Sequence, residues 1–76
     1  MEIFAEIGKT IVLWRKRRGL TQEQLALDCG ISVSYLRRIE HGTANPTINE
    51  LGIIAFVLEI EMRNPFEGPD VDEASA

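Results

Sequence analysis

The sequence predicts an all-α fold, a compact five-helix bundle. Two sets of residues carry that reading. Apolar residues recur at helical spacing, as Ile7, Ile11 and Trp14, as Leu36 and Ile39, and as Leu51, Ile54, Ala55 and Leu58. Between these stripes stand helix starts and stops: the capping residues Thr21, Ser32 and Thr47, and the glycines Gly19, Gly30 and Gly42.

The first helix is expected over Ile3 to Arg18, with Phe4 extending its core stripe backward. Its end carries Arg15, Lys16, Arg17 and Arg18, where cations suit the helix dipole, and Gly19 stops it. The second helix is expected over Thr21 to Asp28, ending at Cys29. Thr21 and Gln24 make a capping box, and Leu20 and Leu25 can close a hydrophobic staple. Gly30 supplies the left-handed residue of a sharp exit. The third helix runs from Val33 to His41 after the Ser32 cap, with Ile31 and Leu36 repeating the staple and Gly42 ending it. The caps of these two helices lie so close in sequence that the helices must meet at a steep angle. Thr47 and Glu50 open a fourth helix as another capping box, and Ile48, Leu51, Ile54, Ala55 and Leu58 make its core face. Ile60, Met62 and Phe66 continue into a short fifth helix, cut near Asn64 by Pro65. Residues 1–66 are read as one domain. Residues 67–76, EGPDVDEASA, are acidic and small and are expected to be disordered.

A chain of 76 residues has room for one such domain, which buries only about 60% of its unfolded surface and stands to gain from oligomerisation. The single Cys29 excludes an internal disulfide and a cysteine-rich metal site, and suits a reducing cytoplasm. No apolar run is long enough to span a membrane, and the acidic start MEIFAEIGKT does not read as a signal peptide. The lone His41 has no nucleophile or carboxylate constellation around it. No phosphate-binding glycine loop and no metal-ligand spacing is present, so neither an enzyme nor a cofactor is expected, and no effector domain is evident. The net charge of −4 hides a polarity. Residues 1–45 hold seven Lys and Arg against five Asp and Glu, whereas residues 46–76 hold one against seven. Local field, not total charge, meets a polyanion.

The stretch Leu20 to Gly42 resembles the helix-turn-helix of the phage-repressor family, the Cro/repressor or XRE-type class. The matching residues are Gly19-Leu20-Thr21-Gln22, Leu25-Ala26, Gly30-Ile31-Ser32, Leu36, Ile39-Glu40, Gly42, Asn45-Pro46 and Leu51. The resemblance implies sequence-specific binding of double-stranded DNA with the third helix in the major groove. It implies a structural ion pair between Arg15 and Glu40, clamping the first helix to the third. It also implies a phosphate contact from Gln22 beside the second helix's N-terminus, with Thr21 next to it. On the third helix, Ser34, Arg37, Arg38 and His41 point away from Leu36 and Ile39, with Val33 at the exposed leading edge. Arginine can hold guanine O6 and N7 with two hydrogen bonds, serine allows close approach, and Val33 could meet a thymine methyl. Val33, Ser34, Arg37 and Arg38 are therefore the candidate base contacts. Arg17, Arg18, Thr21, Gln22, His41, Thr43 and Asn45 are the candidate phosphate contacts. Each has a plainer reading as solvated surface, and Asn45 could simply form the turn before Pro46. Tyr35 is expected at the core edge with its hydroxyl free for a partner.

One helix spans only a few base pairs, so a homodimer on a palindromic operator is expected, with recognition helices about 34 Å apart. Ile53, Phe56, Val57, Ile60, Met62 and Phe66 are the candidate dimer surface. These side chains could instead close the monomer core near Val12 and Leu13. A phage-type repressor, a restriction–modification controller and an antitoxin all fit. A protein-interaction module using the same fold is the alternative from another class.

Overall fold

The structure, a computed structural model, describes residues 2–60. It has four helices in this span: α1 (Glu2–Arg17), α2 (Gln22–Cys29), α3 (Val33–His41) and α4 (Ile48–Leu58). The fifth helix expected near Met62 and Phe66, and the expected tail, lie outside the described residues. Thr21, Ser32 and Thr47 are N-caps, and Thr21–Gln24 and Thr47–Glu50 form complete capping boxes. Each helix ends in the same way. Gly19, Gly30, Gly42 and Glu59 are left-handed, and each donates its N–H three residues back while the next residue donates five residues back. Glu59 is the one non-glycine among them, at φ 59°, a conformation that disfavours an L side chain by about 1 kcal/mol.

Leu25, Leu36, Ile39 and Leu58 are fully buried at the centre, joined by Ile11, Ala26, Cys29, Ala44 and Ile54. Ile7, Trp14, Leu20, Ile31, Val33, Tyr35, Leu51, Val57 and Ile60 close the rim. Burial, then the neighbouring Asp28 charge, raises the Cys29 thiol pKa, which keeps it protonated and unreactive. Ile48 departs from its expected place on the core face: it is 71% exposed. It sits in the free first turn of α4 at the edge of the buried stripe, and joins Asn49, Gly52, Ile53 and Phe56 around a shallow open surface.

α1 packs chiefly on α3, and the contact is made backbone to backbone. A Cβ added to Gly8 would stand 2.6 Å from the Ile39 carbonyl oxygen and closer still to that of Glu40. One added to Gly42 would stand 2.9 Å from Ala5 Cα. A helical glycine costs about 1 kcal/mol against alanine, and here the approach of α3 accounts for it. Gly8→Ala should therefore lower stability by about 1–3 kcal/mol, although helix propensity alone would raise it. Urea unfolding reads the sign, and a raised midpoint would show that the two helices can part without loss.

Candidate nucleic-acid interface

Three residues, Gly30 to Ser32, separate α2 from α3. The left-handed Gly30 turns the chain, and the Ser32 hydroxyl accepts from Tyr35 N at 3.0 Å to start α3. Leu36 and Ile39 anchor α3 inward. Ser34, Arg37, Arg38 and His41 are exposed, so the outward face is polar and carries both arginines.

Behind that face lies a buried ion pair. Arg15 Nε donates to Glu40 Oε2 at 2.7 Å and Arg15 Nη2 to Glu40 Oε1 at 3.3 Å. The two side chains are only 11% and 4% exposed. Arg15 Nη1 also donates to the Leu20 carbonyl at 3.0 Å, and Gln22 Nε2 donates to Glu40 Oε1 at 2.8 Å. The carboxylate thus ties α1, the α1–α2 turn and α2 to α3. Gln22, a candidate phosphate contact, is half-buried in this network. A second hydrogen on its amide nitrogen remains for another acceptor.

Several other expected site residues stand elsewhere. Arg18, a candidate phosphate contact, is engaged at the end of α4: Nε donates to the Leu58 carbonyl at 2.8 Å and Nη2 to that of Glu59 at 3.2 Å. It serves the orphan carbonyls at the end of α4. Its guanidinium and that of Arg17 lie 5.5 and 5.2 Å from the Trp14 ring centre, and Arg17 is exposed. Arg37 does not project from α3 toward a base edge. Its Nε donates to Gln22 Oε1 at 3.2 Å and its Nη2 lies 3.4 Å from Glu23 Oε2. Arg38 makes no side-chain hydrogen bond or ion pair among the described residues. Val33 is half-buried against the core rather than exposed, because the α3 first turn leans on the neighbouring helices. Thr43 Oγ1 donates to the Arg38 carbonyl at 3.2 Å, which closes α3. Thr21 is the α2 cap, and His41 and Asn45 are exposed.

The Tyr35 hydroxyl is not free either. It donates to Glu50 Oε1 at 2.7 Å, the oxygen that also accepts from Thr47 N at 2.8 Å. The Thr47 backbone N–H, and then the Tyr35 hydroxyl, lower the Glu50 pKa; the same bond raises that of Tyr35. Because the folded carboxyl pKa is lowered, its contribution to stability is present above the ordinary carboxyl pKa and is lost as pH falls through the folded value. No pattern within one helix signals either Tyr35–Glu50 or Arg37–Glu23, since both join separate helices. Among the described residues no helix is long and apolar enough to cross a membrane, and no cluster of His, Cys, Asp or Glu is placed to hold a metal ion.

Two short helices set at a tight turn, the second showing a polar basic face, define a helix-turn-helix domain. A family model described as Helix-turn-helix matches residues 11–63. The chain belongs to the XRE-type helix-turn-helix family. It is 42% identical over 62 residues to the HTH-type transcriptional regulator SlrR of Bacillus subtilis (strain 168), which covers 80% of this chain and 41% of that protein. It is 41% identical over 56 residues to the immunity repressor protein of Bacillus phage phi105, covering 74% of this chain and 39% of that one. The chain thus spans about two fifths of the length of these two relatives. It is 33% identical over 60 residues to the uncharacterized HTH-type transcriptional regulator y4dJ of Sinorhizobium fredii (strain NBRC 101917 / NGR234), covering 79% and 78%. Among solved structures, the restriction-modification controller protein C.AhdI from Aeromonas hydrophila matches with a TM-score of 0.77 at 30% identity, covering 80% of this chain and 92% of that one.

Removing Arg15 tests the clamp. Arg15→Ala leaves a buried Glu40 carboxylate with only the Gln22 amide, and should lower stability by about 3 kcal/mol. A loss below about 1 kcal/mol in urea unfolding, the range of an exposed pair, would show that Glu40 finds water when its partner is gone.

Proposed function

We propose that this chain is a transcriptional regulator that binds double-stranded DNA sequence-specifically, as a homodimer on a palindromic operator, with α3 in the major groove. The observation that carries this reading is the α3 outward face: Arg38 exposed and without an ion pair among the described residues, Ser34 and His41 exposed beside it, and no acid on the face. The relatives named as an immunity repressor and a restriction-modification controller support a phage-type repressor or a controller of that kind. Arg38 is the principal base reader, through a two-bonded contact to guanine, with Ser34 allowing close approach. Val33 offers at most its half-buried edge to a thymine methyl. Arg17, Thr21, Gln22, His41, Thr43 and Asn45 serve as phosphate contacts; Arg18 is left out, because it bonds the carbonyls at the end of α4.

Selection from a random duplex pool, read by mobility shift, tests the class. Enrichment of one palindrome is expected. No shift at low salt would overturn DNA binding and favour the same fold holding a protein partner. Within the complex, Arg38→Ala should cost about 1–3 kcal/mol on the selected site and relax preference at one base position. Gln22→Ala should weaken selected and random duplexes alike, since a phosphate contact carries no base information. Equal weakening of both duplexes by Arg38→Ala would make Arg38 a backbone contact.

The dimer reading rests on α4. Phe56 is 83% exposed and Ile53 47%, with the exposed Ile48 beside them, while Val57 and Ile60 are half-buried. Met62 and Phe66 of the expected surface lie outside the described residues. Such apolar exposure marks an interaction surface, and a dimer closed through α4 rather than α3 leaves both recognition helices open to one duplex. Phe56→Glu should give a folded monomer that has lost operator affinity. A Phe56→Glu chain that sediments as a dimer would remove α4 from the interface.

A further inference from the structure

The two arginines on α3 are not equally available. Among the described residues Arg38 makes no side-chain hydrogen bond or ion pair, whereas Arg37 reaches back to the first turn of α2. Arg37 Nε donates to Gln22 Oε1 at 3.2 Å, and Nη2 lies 3.4 Å from Glu23 Oε2. Gln22 is itself fixed, since its amide nitrogen donates to the buried Glu40 at 2.8 Å. One of the two groups that hold Arg37 is therefore anchored to the Arg15–Glu40 pair. The other, Glu23, is an ionised partner open to solvent: the Arg37 and Glu23 side chains are 50% and 66% exposed. An ion pair in that setting is weak and exchangeable. A phosphate can take the place of the Glu23 carboxylate on the guanidinium, because both present acceptor oxygens to the same fork.

We infer that Glu23 is an autoinhibitory partner of Arg37: it competes with DNA phosphate for the guanidinium and lowers affinity for every sequence alike. The inference rests on the DNA-binding reading of the same face. Sequence-independent affinity comes almost wholly from neutralised phosphates, each contributing about −0.9 to the slope of log K against log salt. The loop after α3, Gly42 to Pro46, carries no lysine or arginine, so one withheld arginine is a large share of the charge around α3. Releasing it adds one contact without adding a base reader.

Four chains decide this: wild type, Glu23→Gln, Arg37→Gln and the double variant. Each is titrated with the selected duplex and a random duplex of equal length over a salt series. Both positions are exposed, so unchanged thermal unfolding is expected. Glu23→Gln should tighten both duplexes about threefold near 0.15 M salt and steepen the salt slope by about 0.9. Most of that gain should vanish when Arg37→Gln is also present, because screening at this salt leaves little through-space repulsion beyond about 8 Å. A gain that survives undiminished in the Arg37→Gln background reflects simple removal of a negative charge and overturns the inference. An unchanged slope for Glu23→Gln overturns it as well. Loss of all duplex binding by the wild-type chain would overturn the DNA-binding reading and this inference with it, whereas wild-type binding with a silent Glu23→Gln overturns this inference alone.

Discussion

The rest of the structure depends on one buried carboxylate. Glu40 receives Arg15 from α1 and Gln22 from α2 while lying in the last turn of α3. A buried ion pair is a poor source of net stability, since desolvation consumes much of its attraction and an apolar replacement can hold a fold as well. What it does supply is direction. The Arg15 guanidinium is planar and fork-shaped, so it meets Glu40 with two hydrogen bonds in one orientation only. A third donor, on Nη1, bonds the Leu20 carbonyl, just before α2 begins. The glycine contacts work with it: Gly8 and Gly42 let the α1 backbone lie against the end of α3 at a distance that any side chain would forbid. Polar geometry and close approach together determine the tilt of α3, and hence how its outer face is presented.

The arginines show how little a charge count says about an interface. Residues 1–45 contain five of them, and they have five different surroundings. Arg15 is buried in the clamp, Arg18 serves the α4 carbonyls, Arg17 lies over Trp14, Arg37 is held by α2, and Arg38 is exposed with no ion pair among the described residues. Arg18 illustrates the trade. It bonds the carbonyls of Leu58 and Glu59, and Glu59 is, among the described residues, the one left-handed residue that is not glycine. A cation there favours the helix end and offsets part of what the Glu59 backbone costs. Three of the five, Arg15, Arg18 and Arg37, are thus engaged by groups of other helices, so the arginines left for a ligand are fewer than composition suggests.

Signals that live within one helical turn were readable from the sequence; those that need a second helix were not. Thr21, Ser32 and Thr47 announce helix starts because a cap bonds an N–H three residues away. The expected bounds of α3, Val33 to His41, coincide with the structure for that reason. Phe56 and Ile53 stand out of the apolar pattern of α4 and are exposed. Ile48 fits the same pattern and is exposed too, because periodicity gives a direction but cannot supply a neighbour in that direction. Gly8 reads as a mild defect in α1 until the α3 carbonyls are in place. Arg37, Gln22, Tyr35 and Arg18 all have partners at least 14 residues away, so their roles depend on crossing angles that no local spacing encodes. The Arg15–Glu40 pair, 25 residues apart, is legible only through the family resemblance.

A hydrogen bond links α3, which carries the polar basic face, to α4, which carries the exposed apolar side chains. Tyr35 in the first turn of α3 donates to Glu50 in the first turn of α4, and Glu50 is held in turn by the Thr47 N–H. Leu36 and Leu58 belong to the same buried core. Rotation of α4 against α3 would break a charge-assisted bond and open a close-packed centre at once, and packed centres resist gradual deformation. On the dimer reading this stiffness matters more than the area of the contact. A two-fold axis through α4 fixes the distance between two copies of α3 only if α3 cannot move relative to α4. The half-site spacing that such a regulator selects would then be a property of the Tyr35–Glu50 link and the core below it, not of the residues that touch DNA.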